Sequence, residues 1–230
     1  MIIRLIELQG ITKNFGSTRV LGGINMRIDN GSCHCVLGPS GSGKSTLLKI
    51  MAMILMPDSG KVLVDGIEVT TADNAQSDKL RERIAYSFQE PLLLPYLSTI
   101  ENVVDLNSVY SEYPDGFLRE TALDFLSRVG LENRTSYPVN RLSVGERKRV
   151  DLVRALLRNP GLLIADEPFA SLDPDNAHNV VKLIRAASAR GVTVVYSTVD
   201  PSEANILGDK VTHLRKAEIG SVVELDSEVT

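Results

Sequence analysis

The 230-residue sequence has no uninterrupted apolar run near the ~18 to 20 residues that cross a bilayer. Its nearest approach, Ile50 to Met56, is cut off from Leu47 and Leu48 by Lys49, so a membrane role requires another chain. Basic charge is not in excess either. Twenty-five basic residues against twenty-nine acidic ones leave a net charge of -4, which excludes the electrostatic footprint of a protein that wraps nucleic acid. Met1 to Gly10 carries Arg4 and Glu7 inside its apolar stretch and lacks a signal-peptide pattern. The expected location is therefore the cytoplasm, where disulfides are not expected. Cysteine is scarce: Cys33 and Cys35 flank His34 at a spacing unlike a zinc knuckle, and only His178 and His213 remain as further imidazoles. The two thiols are expected on one face of a core strand.

What is present is a 43% hydrophobic chain, enough to bury one large core. Ile3 to Gln9 and Arg19 to Ile28 alternate like strands, and Gly22-Gly23 suggests a bulge in the second. Lys61 to Val64 and Ile67 to Val69 form a predicted hairpin around Asp65-Gly66, a dipeptide suited to tight turns. From Ser32 onward, short apolar strands at Ser32 to Leu37, Ile84 to Phe88, Leu162 to Ala165 and Val192 to Ser197 are spaced by helical patterns. The helices are expected at Lys44 to Met53, Gly145 to Arg158 and Pro174 to Arg190. That alternation predicts an α/β fold with a parallel-sheet core. Between about residues 92 and 145 the pattern is helical, with Leu118, Ala122, Phe125, Leu126 and Val129 on one face and Gly130 as a stop. No linker or repeat divides the chain, so 1–230 reads as one domain with an antiparallel β subdomain and an inserted helical subdomain.

The glycine-rich segment Gly38-Pro39-Ser40-Gly41-Ser42-Gly43-Lys44-Ser45-Thr46 lies between a strand and a helix, the context of a P-loop. Glycines there let backbone N–H groups turn onto phosphate oxygens, and the helix adds the positive end of its dipole. Lys44 is placed to reach the β and γ phosphates of ATP, and the Ser45 hydroxyl to ligate Mg²⁺. Downstream, Leu162-Leu163-Ile164-Ala165 ends in Asp166-Glu167. In a P-loop protein such a strand end puts Asp166 on the Mg²⁺ shell and Glu167 beside the attacking water.

Leu142-Ser143-Val144-Gly145-Glu146 resembles the signature motif of ABC ATPases, usually Leu-Ser-Gly-Gly-Gln, with Val144 and Glu146 departing from the commonest spelling. The resemblance runs in family order over essentially the whole chain and implies a P-loop (RecA-like) cassette. By that resemblance Phe15, in Thr12-Lys13-Asn14-Phe15-Gly16, stacks on adenine. Gln89 contacts Mg²⁺ and water, and Ser143 and Gly145 reach the γ phosphate held by a second copy. Ser171-Leu172-Asp173 resembles the D-loop that links the paired sites. The family's switch histidine is replaced: Val199 follows Thr198 where it is expected, so slow hydrolysis, compensation by Thr198 or Asp200, and an altered variant all stay open.

What the resemblance implies is an ATP-hydrolysing subunit, with Glu167, Lys44 and Gln89 catalytic. It works as a head-to-tail homodimer on an integral membrane permease, peripheral on the inner face of the cell membrane, and is most similar to the lipoprotein-release and peptide-export branch. The alternatives are a soluble ABC ATPase and an ATP-dependent interaction module that hydrolyses slowly. No long coiled-coil insertion favours the first, and no Asn-Lys-x-Asp motif supports a GTPase.

Overall fold

Alternating apolar residues near the start of the chain build two long strands, β1 (Leu5–Phe15) and β2 (Thr18–Asp29), which pair antiparallel. The computed structural model describes residues 3, 5–70, 74–108, 115–215 and 227–228. β1 continues beyond the Gln9 end expected from the sequence. Gly10 adopts φ 62° and donates its N–H to Asn25 Oδ1 at 2.8 Å, so a register shift, not a strand end, absorbs the glycine. After β3 (Cys33–Leu37) and α1 (Lys44–Met51), β4 (Ser59–Val64) and β5 (Ile67–Glu68) complete a sheet in the order β2-β1-β4-β5. Asp65 and Gly66 both have positive φ, 52° and 79°, as the predicted hairpin turn requires. Arg4, part of the expected first strand, lies outside the described residues.

The chain continues through α2 (Asn74–Glu82), β6 (Ile84–Ser87), α3 (Thr99–Ser108), α4 (Asp115–Arg128), α5 (Val144–Leu157), β7 (Leu162–Ala165) and α6 (Pro174–Ser188). It ends in β8 (Thr193–Thr198), α7 (Pro201–Leu207), β9 (Lys210–His213) and β10 (Ser227–Glu228). The second sheet runs β10-β9-β3-β8-β7-β6, parallel from β9 to β6. All five residues of β3 are buried because apolar layers cover both faces. Cys33, Cys35 and Leu37 pack into the core shared with α4, α5 and α6, while Val36 faces the core shared with α1 and the antiparallel sheet. The expectation of core thiols on one strand face holds; both cysteines are free and buried. His34 points the other way, 2.7 Å from Thr212 Oγ1, and burial pushes its imidazole down to about 4.

α3 and α4 pack on α5 to form the helical lobe, and the expected apolar face of α4 is buried at Leu118, Ala122, Phe125 and Leu126. Residues 109–114 of that lobe are outside the described residues. The fully buried Asn102 amide ties the lobe's entry loop, accepting from Leu94 N at 2.7 Å and donating to the carbonyls of Leu94, Leu97 and Ser98. α1 stops at Met51, two residues short of expectation, because Met53 turns left-handed at φ 56°.

Candidate active site

Parallel strands deliver their carboxyl ends to one edge of the sheet, and every segment of the site leaves from that edge. Leu37 pairs with Thr198, Ala165 with Tyr196, and Ser87 with Ala165, so the loops after β3, β8, β7 and β6 begin side by side.

The loop after β3 wraps back on α1. Gly41 and Gly43 take φ 77° and 98°, which turns successive N–H groups inward. Gly38 is required for a different reason: a Cβ there would lie 2.3 Å from Leu214 O and 2.8 Å from Ser42 Oγ. Lys44 is only 5% exposed; its Nζ donates to Gly38 O at 2.9 Å and Pro39 O at 3.2 Å and lies 3.8 Å from Glu167 Oε1. A buried ammonium held by its own loop's carbonyls has strong reason to exchange them for phosphate oxygens. Ser42 Oγ is buried without a hydrogen-bond partner, which marks a polar atom the loop itself does not satisfy.

Asp166, at the end of β7, is 3% exposed and held from both neighbouring strands. Ser197 Oγ donates to its Oδ1 at 2.6 Å and Tyr86 OH to its Oδ2 at 3.3 Å. Burial, then the neighbouring carboxylate, pushes the Tyr86 hydroxyl up, so it stays a donor. Glu167 follows with φ 50°, a left-handed conformation that costs about 1 to 3 kcal/mol for such a residue. Both of its backbone groups are gripped: N–H donates to Ser197 Oγ at 3.0 Å, and C=O accepts from Lys148 Nζ at 3.1 Å. Gln89 Nε2 donates to Glu167 Oε2 at 3.2 Å. Ser45, Gln89 and Asp166 line one cleft of about 320 Å³ with Lys49 and Phe88, a set of hydroxyl, amide and carboxylate oxygens suited to a hard divalent cation.

A loop of inward amides, a buried lysine and a strand-end carboxylate pair thus form one constellation, and residues 21–170 match the family described as ABC transporter. The chain belongs to the ABC transporter family. It is the ATP-hydrolysing type of subunit in that family. It is similar to the lipoprotein-releasing system ATP-binding protein LolD of Bacteroides thetaiotaomicron, 38% identical with 91% of this chain and 96% of that protein covered. The macrolide export ATP-binding/permease protein MacB of Chlorobaculum tepidum is 35% identical over 90% of this chain but 32% of its own length. Among solved structures, a dimeric ATP-binding cassette in a post-hydrolysis state with ADP and phosphate superposes at a TM-score of 0.87. It is 31% identical, covering 97% of this chain and 98% of that one.

The remaining ABC motifs sit apart from this constellation. Phe15 ends β1 half-exposed, with Lys13 Nζ 5.8 Å from its ring centroid, and is not a core residue. Ser143 and Gly145 open α5 in the helical lobe. Ser143 Oγ accepts from Glu146 N at 3.1 Å while Glu146 Oε2 accepts from Ser143 N at 2.8 Å, a closed capping box. The cap holds Ser143 on the exposed start of α5. Glu146 therefore has a structural use at the place of the usual glutamine; burial works to raise its carboxyl, but hydrogen bonds from Ser143 and Arg134 hold it low. Gly145 admits the D-loop: a Cβ there would be 2.8 Å from Ser171 O.

Val199 lies just beyond β8, half-exposed. Its neighbours have other partners. Thr198, 1% exposed, donates its hydroxyl to Glu203 and accepts from Asp200 N at 3.0 Å. Asp200 caps α7, its Oδ1 accepting from Ser202 N at 2.8 Å and Ser202 Oγ at 2.7 Å.

Sequence reasoning missed Ser197 and Tyr86, which hold Asp166, and Lys148, which holds Glu167. Ser197 carried a signal, a small hydroxyl residue beside Thr198 at the end of an apolar strand; Lys148 sat inside a helix that reads as merely basic.

Proposed function

We propose that this ABC cassette cleaves ATP, with Mg²⁺, between two head-to-tail copies and drives a separate integral membrane permease, at a rate limited by Val199. The observation that carries the reading is the meeting of Lys44, Asp166, Glu167 and Gln89 at one sheet edge, while Ser143 lies exposed on another lobe. One copy thus supplies a phosphate loop and lacks a group to close over it. A second copy supplies that group through Ser143, and the cassette with ADP and phosphate, itself a dimer, supports this arrangement.

In this mechanism the loop amides of Gly38 to Thr46 and Lys44 hold the phosphates, and Phe15 stacks on adenine from the exposed end of β1. Ser45, Gln89 and Asp166 hold the cation, which supplies charge neutralisation on the phosphate oxygens when bound. Glu167 orients the attacking water and takes its proton as the γ-phosphorus bond to the bridging oxygen breaks. Gln89 keeps the Glu167 carboxylate turned toward that position. Val199 supplies no hydrogen bond to the γ phosphate, and neither the engaged Thr198 hydroxyl nor the ionised Asp200 carboxylate, which can only accept, replaces it. Binding is strong and cleavage slow.

A groove of about 420 Å³ between core and helical lobe, lined by Met53, Ile54, Tyr86, Phe88 and Arg154, is the proposed permease dock. Exposed Leu92 and Tyr96 lie in the loop that follows Gln89. Among the described residues no helix is long and apolar enough to cross a membrane, so attachment to the inner face of the cell membrane runs through the permease. Similarity to the lipoprotein-releasing protein supports that branch of transport.

Glu167→Gln tests the reading. Hydrolysis falls by about 10³-fold with ATP affinity retained, and the variant elutes as a dimer only with ATP and Mg²⁺. A variant that binds ATP but stays monomeric at high protein concentration overturns the two-copy site.

A further inference from the structure

α5 carries Ser143 at its first turn, and two turns later it presents charged side chains to the inside of the molecule. Lys148 is 8% exposed and Asp151 is fully buried, although both belong to a helix whose composition suggests a solvated face. Burying a carboxylate costs stability unless its oxygens are fully used. Here they are. Asp151 Oδ2 accepts from Phe88 N at 2.8 Å and from Ser87 Oγ at 2.9 Å, and Oδ1 accepts from Arg154. Arg154 in turn donates to Leu92 O at 2.7 Å. Asp151 and Arg154 therefore grip the chain on both sides of Gln89. One turn nearer the N-terminus, Lys148 Nζ holds the carbonyl of Glu167 in its left-handed conformation.

We propose that Asp151, assisted by Lys148, is a positioning residue that fixes Gln89 and Glu167 relative to α5. The subunit's own water-handling pair thereby moves with the helix whose serine serves the other copy's site. This rests on the catalytic reading of Glu167 and Gln89 given above and adds a cause for their alignment. Neither side chain reaches the phosphate site through these contacts; they act through the Ser87 hydroxyl and the backbone at Phe88 and Glu167. A rigid link of this kind sets the geometry of cleavage more than the affinity for nucleotide, because the phosphate loop and α1 lie outside it. Arg154 also lines the proposed permease groove, so the same link is open to pressure from a docked partner.

The test is single-turnover cleavage of γ-labelled ATP by the full chain, with ATP affinity measured in parallel. Asp151→Ala slows cleavage about tenfold and changes affinity less than about twofold, and Asp151→Asn, which keeps one acceptor, falls between it and wild type. In a Gln89→Ala background the added loss from Asp151→Ala drops below about twofold, since the residue it positions is gone. If Asp151→Ala fails to fold, Ser87→Ala removes one donor and leaves the Asp151–Arg154 pair; it slows cleavage about threefold with the same dependence on Gln89. A folded Asp151→Ala, or Ser87→Ala where Asp151→Ala does not fold, that cleaves at the wild-type rate overturns the proposal. Losses that multiply fully with Gln89→Ala overturn it too. Wild-type binding and cleavage report on the ATPase reading itself, and only the variant ratios report on the clamp.

Discussion

Strands β3 and β8 lie side by side, pair Leu37 with Thr198, and end on the same edge of the sheet, yet they deliver different things to the site. β3 passes into left-handed glycines, an unpartnered Ser42 hydroxyl and a buried lysine, a loop whose polar groups await an anion. β8 passes into an alkyl side chain; the hydroxyl before it donates to Glu203, and the carboxylate after it caps α7 through one oxygen. Binding phosphate and cleaving it are thus built by different strands. In the proposed reading the first part comes from a single chain, and the second lacks a polar group at Val199 even with a second copy.

Val199→His breaks the comparison most strongly. Restoring a positioned donor at the end of β8 raises turnover by on the order of 10², since a lost contact of this kind costs about 10² to 10³ in rate. ATP affinity stays nearly constant, and the gain disappears when Glu167→Gln is added because both act on one water. A brisk wild type with no gain from histidine assigns the role elsewhere. Lys44→Ala acts on the other strand end and reverses the pattern. Affinity for ATP falls some tens-fold, about 2 kcal/mol for one charge-assisted contact, with the fold intact by circular dichroism. Unchanged affinity in a folded variant removes the phosphate loop from the site.

The two strand ends also differ in how far they could be read from sequence. The phosphate loop is legible because its chemistry needs consecutive residues, glycines for φ above zero and then lysine and hydroxyls. Asp65-Gly66 is legible for the same reason, and both residues adopt the left-handed turn. Asp166 and Glu167 are legible, but what holds them is not: Tyr86, Ser197 and Lys148 come from three other elements and meet only in the fold. Lys148 and Asp151 fall in a helix that reads from the sequence as basic, since periodicity cannot show that a charged stripe faces a loop. α2 went unseen because Leu80 is its one large apolar residue and no apolar stripe forms. β9 has the same difficulty, with Val211 its single large aliphatic. Gly10 misled in another way, since glycine marks a bulge as readily as a strand end.

α7 escaped notice although its start was written in Asp200-Pro201, a cap followed by proline at the first helical position. That same cap decides between two roles for Asp200. As a stand-in for histidine it would have to face the γ phosphate, where a carboxylate adds like charge. Its hydrogen bonds with Ser202 hold the carboxyl low, so it is ionised at neutral pH and a poor donor to phosphate. Both Ser202 contacts go to one oxygen, inside the first turn of α7. Asp200→Ala therefore lowers the melting temperature by about 2 to 4 °C, the size of one lost helix cap in a chain of this length. ATP cleavage is unchanged. A loss of cleavage at constant melting temperature makes Asp200 part of the reacting site and returns β8 to equal standing with β3.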